Sequence, residues 1–269
     1  MKLSIDGLLE RAGLVSKPRI GVALSGGGAK GFGHLGVLMA FESFGLKPEI
    51  LSGVSAGSIA ASLYGAGLSP QDIISCFAST HKFGDFTEFG LPKNGLFKLS
   101  KFARLLESWL PVKNLEDMKI PTIICATNFD KGTSKGWAKG EIVPRVIASC
   151  SIPIIFHPVK IDGSHYVDGG VLRNLPAWAI RNYCKTLFGV NCSPLKSHFQ
   201  YKDSILDITL RSYQLMTKAN TLQDLQLCDH VITLNQGTSI GTFDLTAMEE
   251  AVRKGYDDAC VVLENILDR

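Results

Sequence analysis

Ile20-Gly-Val-Ala-Leu-Ser25-Gly-Gly-Gly-Ala-Lys-Gly31 and, further on, Glu49-Ile-Leu-Ser-Gly-Val-Ser55-Ala-Gly57 decide the fold class. Each is an apolar run of strand length that ends in a glycine-bearing turn and passes directly into a helical pattern. Runs of this kind suit strands buried on both faces of a parallel sheet. After the first, Leu35, Leu38, Met39 and Phe41 recur at helical spacing until Gly45 stops the helix. After the second, an Ala- and Leu-rich stretch from Ser55 predicts a helix to about Gly67. Strand–helix–strand–helix with tight connections requires a parallel sheet covered by helices on both sides.

The same alternation continues in both directions from this centre. Ser69 is a helix cap with Pro70 at the first helical position. Pro121-Thr-Ile-Ile-Cys-Ala-Thr127, Leu187-Phe-Gly-Val-Asn191 and His230-Val-Ile-Thr-Leu-Asn235 predict further strands. Val143–Ser149, 205–219 and Met248–Leu267 predict helices. The expected architecture is a three-layer α/β/α sandwich with a mostly parallel central sheet. Residues 1–19 are expected to form a helical extension, 20–182 the main α/β region, and 183–269 the part that completes the same domain. The stretch from Phe77 to Phe97 has no clear period; its five Phe fit either a lid facing lipid or a small satellite core.

Composition narrows the function classes. The 269 residues are 45% hydrophobic and 20% charged, which is globular rather than disordered. A formal net charge of +3 is too small to suggest a nucleic-acid binder. Apolar runs break before the ~18 residues that a bilayer span needs. The first residues carry acidic groups where a signal peptide has its apolar core. The seven Cys lack zinc-ligand spacing and sit mostly among apolar neighbours, so buried thiols are expected and no metal. A cytoplasmic protein follows, with peripheral, transient contact at a membrane surface as its expected association.

Gly53-Val54-Ser55-Ala56-Gly57 fits the G-x-S-x-G nucleophile elbow, in which a serine is held exposed at a helix N-terminus on a turn too sharp for flanking side chains. Gly132-Thr-Ser134-Lys-Gly136 and Gly237-Thr-Ser239-Ile-Gly241 fit it too, but both read as turns without a following helix; Ser55 alone lies between a strand and a helix. Gly26-Gly27-Gly28-Ala29-Lys30-Gly31 fits the dinucleotide fingerprint, yet the next strand ends in Ser55 and not in an acidic residue for a ribose. An oxyanion hole built from amides at Gly26, Gly27 and Gly28 uses both motifs together. Asp168, before Gly169-Gly170, is by itself an ordinary turn residue. It becomes a candidate base because Ser55 needs a proton acceptor and none of the six His sits in a motif that marks it as one. His34 reads as a packed core residue; Lys30 as either a charge beside the hole or solvated surface.

These segments in this order, SGGGAKG at 25–31, GVSAG at 53–57 and DGG at 168–170, resemble the patatin-like phospholipases. Ala148-Ser-Cys-Ser-Ile-Pro153, Phe156, Pro158, Asn174 and Pro176 extend the resemblance over about 20–182. It implies a Ser–Asp dyad without cofactor: Ser55 attacks an ester carbonyl, Asp168 takes and returns the proton, and the Gly26–Gly28 amides hold the oxyanion. The substrate would be a phospholipid, lysophospholipid or simpler ester. A carboxylesterase for small esters and a nucleotide-binding regulator using Gly26–Gly31 are the alternatives. As an efficient base, Asp168 would have to be desolvated, with its pKa raised.

Overall fold

The computed structural model describes residues 19–78, 83–89, 95–194, 204–235 and 240–268. The expected N-terminal helix, all of it but residue 19, lies outside them. Strands β1 (Ile20–Leu24) and β2 (Ile50–Val54) pair in parallel, with Leu24 opposite Gly53. Helices α1 (Gly33–Ser43) and α2 (Ala56–Gly65) follow them as expected. Helix α3 (Pro70–Phe77) begins in a capping box: Ser69 Oγ accepts from the Asp72 amide (3.1 Å), and the Asp72 carboxylate accepts from the Ser69 amide (3.2 Å). Then come α4 (Ser100–Trp109), β3 (Thr122–Asn128), β4 (Thr133–Trp137), α5 (Ile142–Ser149), β5 (Val159–Ile161) and β6 (Ser164–Asp168). The short α6 (Ala177–Ile180), β7 (Thr186–Asn191), α7 (Ile205–Leu225), β8 (His230–Thr233) and α8 (Met248–Leu267) complete the order.

Among the described residues the main sheet runs β8-β7-β1-β2-β3-β6-β5, with β4 also on β3. The β8, β7, β1, β2 and β3 neighbours are parallel; β4, β5 and β6 join by antiparallel pairing. The expected parallel core is there, with an antiparallel flank that the chain's second half adds. Successive strand residues feed two separate cores. Val22, Leu24, Leu51, Ile124 and Val190 pack with helices α1, α2, α5 and α8. Ala23, Ile50, Ile123, Cys125 and Leu187 pack with α6 and the end of α7 on the opposite face. That alternation is the physical basis of three layers, and it explains why the strands read as continuous apolar runs.

Two details of this sheet position the candidate residues. The β5–β6 hairpin turns at Asp162-Gly163, both with positive φ (47° and 81°), as a two-residue turn with matching twist requires. More important, β2 and β6 lie end to end along β3. Val54 is opposite Cys125 and Asp168 opposite Ala126, and because β2 is parallel and β6 antiparallel to β3, their C-termini meet.

Candidate active site

Ser55 stands where β2 becomes α2, with φ 53° and ψ −125°, a strained conformation for a residue with a side chain. Its flanking glycines are forced by contact. A Cβ on Gly53 would sit 2.3 Å from the Gly57 carbonyl oxygen, and one on Gly57 would sit 2.1 Å from that of Leu24. The strain is held by neighbours: the Ser55 amide donates to Ser149 Oγ (2.8 Å), Ser149 Oγ donates to the Cys125 carbonyl (2.6 Å), and Ser58 Oγ donates to the Ser55 carbonyl (2.6 Å). Ser149→Ala leaves a buried amide unpaired, so we expect a loss of about 1–3 kcal/mol in urea unfolding with the fold retained. An unchanged midpoint would show that the clamp adds nothing.

Asp168 ends β6 fully buried beside this turn. Its backbone amide donates to the Ser151 carbonyl (2.9 Å), and its Oδ1 accepts from the Gly170 amide (2.9 Å). Oδ2 is buried and has no hydrogen-bond partner of normal geometry among the described residues. Burial raises the carboxyl pKa to about 6; the Gly170 amide, the nearby Ser55 hydroxyl and the Tyr213 phenol pull it back down. The desolvation that a base in this position needs is therefore present.

The glycine loop supplies fewer free amides than its length suggests. The Gly26 amide is engaged by the Asn174 carbonyl (3.2 Å) and the Ala29 amide by that of Thr242 (2.8 Å). Among the described residues the Gly27 and Gly28 amides have no acceptor, so of the three glycines only these two keep an amide unengaged. Gly28 has φ 61°, a conformation suited to glycine. Gly31 serves packing: a Cβ there would meet Ala56 Cβ at 2.3 Å, so its absence lets the turn lie against the start of α2. His34 is a buried core residue whose Nε2–H donates to the Ser25 carbonyl (2.8 Å), anchoring the strand end from which the loop departs. Lys30 is buried beside the loop and is not solvated surface.

Ser134 lies within strand β4, on the arm of a hairpin and not on a turn, and Ser239 lies outside the described residues. Of the five Phe weighed as a lid, Phe77 and Phe86 are buried with their rings 6.1 Å apart and line a cavity; Phe97 is half-buried, and the side chains of Phe83 and Phe89 lie outside the described set. That cavity, of about 150 Å³, is lined by Ser55, Ala56 and Gly28 among others and is almost wholly apolar.

Residues the motifs did not mark come from α7. Tyr213, Thr217, Asn220 and Asp224 fall on one stripe of this helix. Asn220 Nδ2 donates to the Gly170 carbonyl (2.8 Å), its Oδ1 accepts from the Asn174 amide (2.9 Å), and Asp224 takes a two-pronged contact from Arg173 (2.6 and 2.7 Å). The helix thus grips the segment directly after Asp168. The signal was available as a polar spacing of four, three and four on an otherwise ordinary amphipathic helix.

A serine on a strained strand-to-helix turn, a buried carboxylate and unengaged loop amides, all at one end of a three-layer α/β sandwich, define a class of hydrolase-like architecture. A family model described as patatin-like phospholipase matches residues 22–180, and the chain belongs to that family. Among curated proteins, the lysophospholipase NTE1 of Candida glabrata is 28% identical over 211 residues, covering 74% of this chain and 12% of its own length. An NTE family protein of Mycobacterium tuberculosis, described as uncharacterized, is 28% identical over 176 residues, covering 64% of this chain and 30% of its own length. The chain thus spans well under half the length of these relatives. The crystal structure of VipD from Legionella pneumophila matches with a TM-score of 0.51 at 16% identity, covering 93% of this chain and 67% of that one, a likeness of fold.

Proposed function

We propose that the protein hydrolyses carboxylic esters of lipids, of phospholipase or lysophospholipase type, through an acyl-enzyme on Ser55. Asp168 accepts the hydroxyl proton as Ser55 attacks and returns it to the leaving alcohol; the Gly27 and Gly28 amides hold the oxyanion. One observation carries the choice of substrate: Ser55 lines the apolar cavity, whose walls include Leu35, Ile59, Ile73, Phe77 and Phe102. An acyl chain fits such a lining, whereas a polar metabolite would lose its hydration there without compensation. Transient contact with a lipid surface is supported by Ile205, Leu206 and Ile208, exposed at the start of α7, and by exposed Ile154 in the segment where Leu210 of the same helix packs.

The nucleotide-binding alternative is disfavoured by the packing of the loop. A Cβ on Gly27 would meet Cys192 Sγ at 2.4 Å, and one on Gly28 the Thr242 carbonyl oxygen at 2.3 Å, so protein already covers these glycine faces.

The test is hydrolysis of esters graded by acyl length. Rates rising from short to medium or long chains support a lipid substrate; a maximum at acetyl or propionyl esters turns the reading to a small-ester carboxylesterase. The floor of the cavity gives a sharper version. Trp109, which does not line it, packs tilted against Phe77 (4.8 Å) and edge-on to Phe102 (6.4 Å). Phe102→Ala should therefore deepen the cavity and raise the long- to short-chain ratio of kcat/KM about tenfold. An unchanged ratio would separate acyl binding from this cavity.

A further inference from the structure

Two cavities reach Ser55, and they share only Gly28, Ser55, Ile152 and Thr242. The second is small, about 20 Å³, and richer in polar side chains than the first, with Lys30, Asn174, Tyr213 and Thr217 lining it beside Gly26 and Gly27. That volume holds about one water molecule. Once an acyl chain occupies the apolar cavity, water cannot approach the ester carbon from that side, and the polar recess is the remaining route. Tyr213 lines this recess; its Oη and Asp168 Oδ2 are a buried pair that face each other, without a hydrogen bond of normal geometry among the described residues. Tyr213 Oη also lies directly over Gly170, 2.0 Å from where a Cβ would stand, and Gly170 is the residue whose amide fixes the other oxygen of Asp168.

We propose that this recess seats the hydrolytic water of the second half-reaction and that Tyr213 holds it there. The proposal rests on the acyl-enzyme reading above. Burial and the Asp168 carboxylate push the Tyr213 phenol well above its ordinary pKa, so it stays protonated, with its O–H toward Asp168 and its lone pairs left to accept from water. The water oxygen attacks the acyl carbonyl carbon while Asp168 Oδ2 takes one water proton. The oxyanion rests on the Gly27 and Gly28 amides. As the carbonyl re-forms, the bond to Ser55 Oγ breaks, Asp168 returns the proton to Oγ, and the carboxylic acid leaves.

The experiment is pre-steady-state hydrolysis of a p-nitrophenyl ester by wild type, Tyr213→Phe and Thr217→Leu, the last narrowing the recess from the helix side. In both variants deacylation should slow about tenfold, the worth of one hydrogen bond, relative to the burst. The acyl-enzyme should accumulate in mass spectra. With methanol added, the ratio of methyl ester to free acid should change from that of wild type, because the water seat is altered. Deacylation unchanged, or burst and deacylation falling together, overturns the water seat. Absence of any Ser55 adduct in wild type overturns the acyl-enzyme reading instead, so the two failures are distinct.

Discussion

Ser55→Ala is expected to abolish acyl transfer, lowering kcat by at least about a thousandfold, because nucleophile and base act as a unit and either loss collapses the pathway. The strain at this residue sharpens the expectation. With φ 53° enforced between Gly53 and Gly57, the side chain at position 55 is directed by backbone geometry, and no other serine on the described strand ends shares that conformation. Alanine tolerates the same turn, so the variant should fold with an unchanged urea midpoint to within ~0.5 kcal/mol. A fluorophosphonate should label wild type on the peptide containing Ser55 and leave Ser55→Ala unlabelled. Ser134→Ala, on strand β4, should retain full activity. Residual turnover above about one per cent in Ser55→Ala, with label on another peptide, would remove this serine from the chemistry.

Asp168→Asn should cost about as much activity and, at neutral pH, increase stability. The carboxyl is raised from 3.8 to about 6 by burial, so the folded state holds its proton more tightly than the unfolded chain does. As pH rises from about 4 to 6, the unfolded chain ionises first and stability falls. Above that window the whole penalty is in place, about 3 kcal/mol for a shift of this size, at ~1.4 kcal/mol per pH unit. Asparagine stays neutral and keeps an oxygen for the Gly170 amide, so the variant should be more stable than wild type by up to ~3 kcal/mol at pH 7.5 and no more stable at pH 4. The same titration governs activity: only the ionised carboxylate accepts a proton, so kcat/KM should rise with pH through a midpoint near 6. Equal stabilities at pH 7.5, or an acid limb near 4, would show that the carboxylate is solvated in solution.

Much of this was legible beforehand because the informative residues are local. Apolar runs without alternation mark strands covered on both faces, and Gly53 and Gly57 are dictated by contacts within a few residues of Ser55 or with the adjacent strand. Less visible were features that depend on partners remote in the chain. The commitment of the Gly26 amide needs the Asn174 carbonyl, which nothing near Gly26 announces. The antiparallel flank was signalled by Asp162-Gly163, a strong hairpin pair, but its arms are short and Pro158 masks the alternation of the first. Helix α7 runs to Leu225, past the expected end near Ala219, and the added turn carries Asp224, which with Asn220 ties down the loop after Asp168.

The end-to-end seating of β2 and β6 against β3 means that one stretch of main chain, Cys125-Ala126, works as a common ruler for both Ser55 and Asp168. Their spacing is then indifferent to the length of everything spliced between them. Insertions at the Phe129–Gly132 tip or around the Phe-rich loop would remodel the surroundings of Ser55 while its hydroxyl and the Asp168 carboxylate stay in register. Conversely, a single slip of β3 would misplace both at once, so drift in this protein should be concentrated in loops and nearly forbidden along that strand.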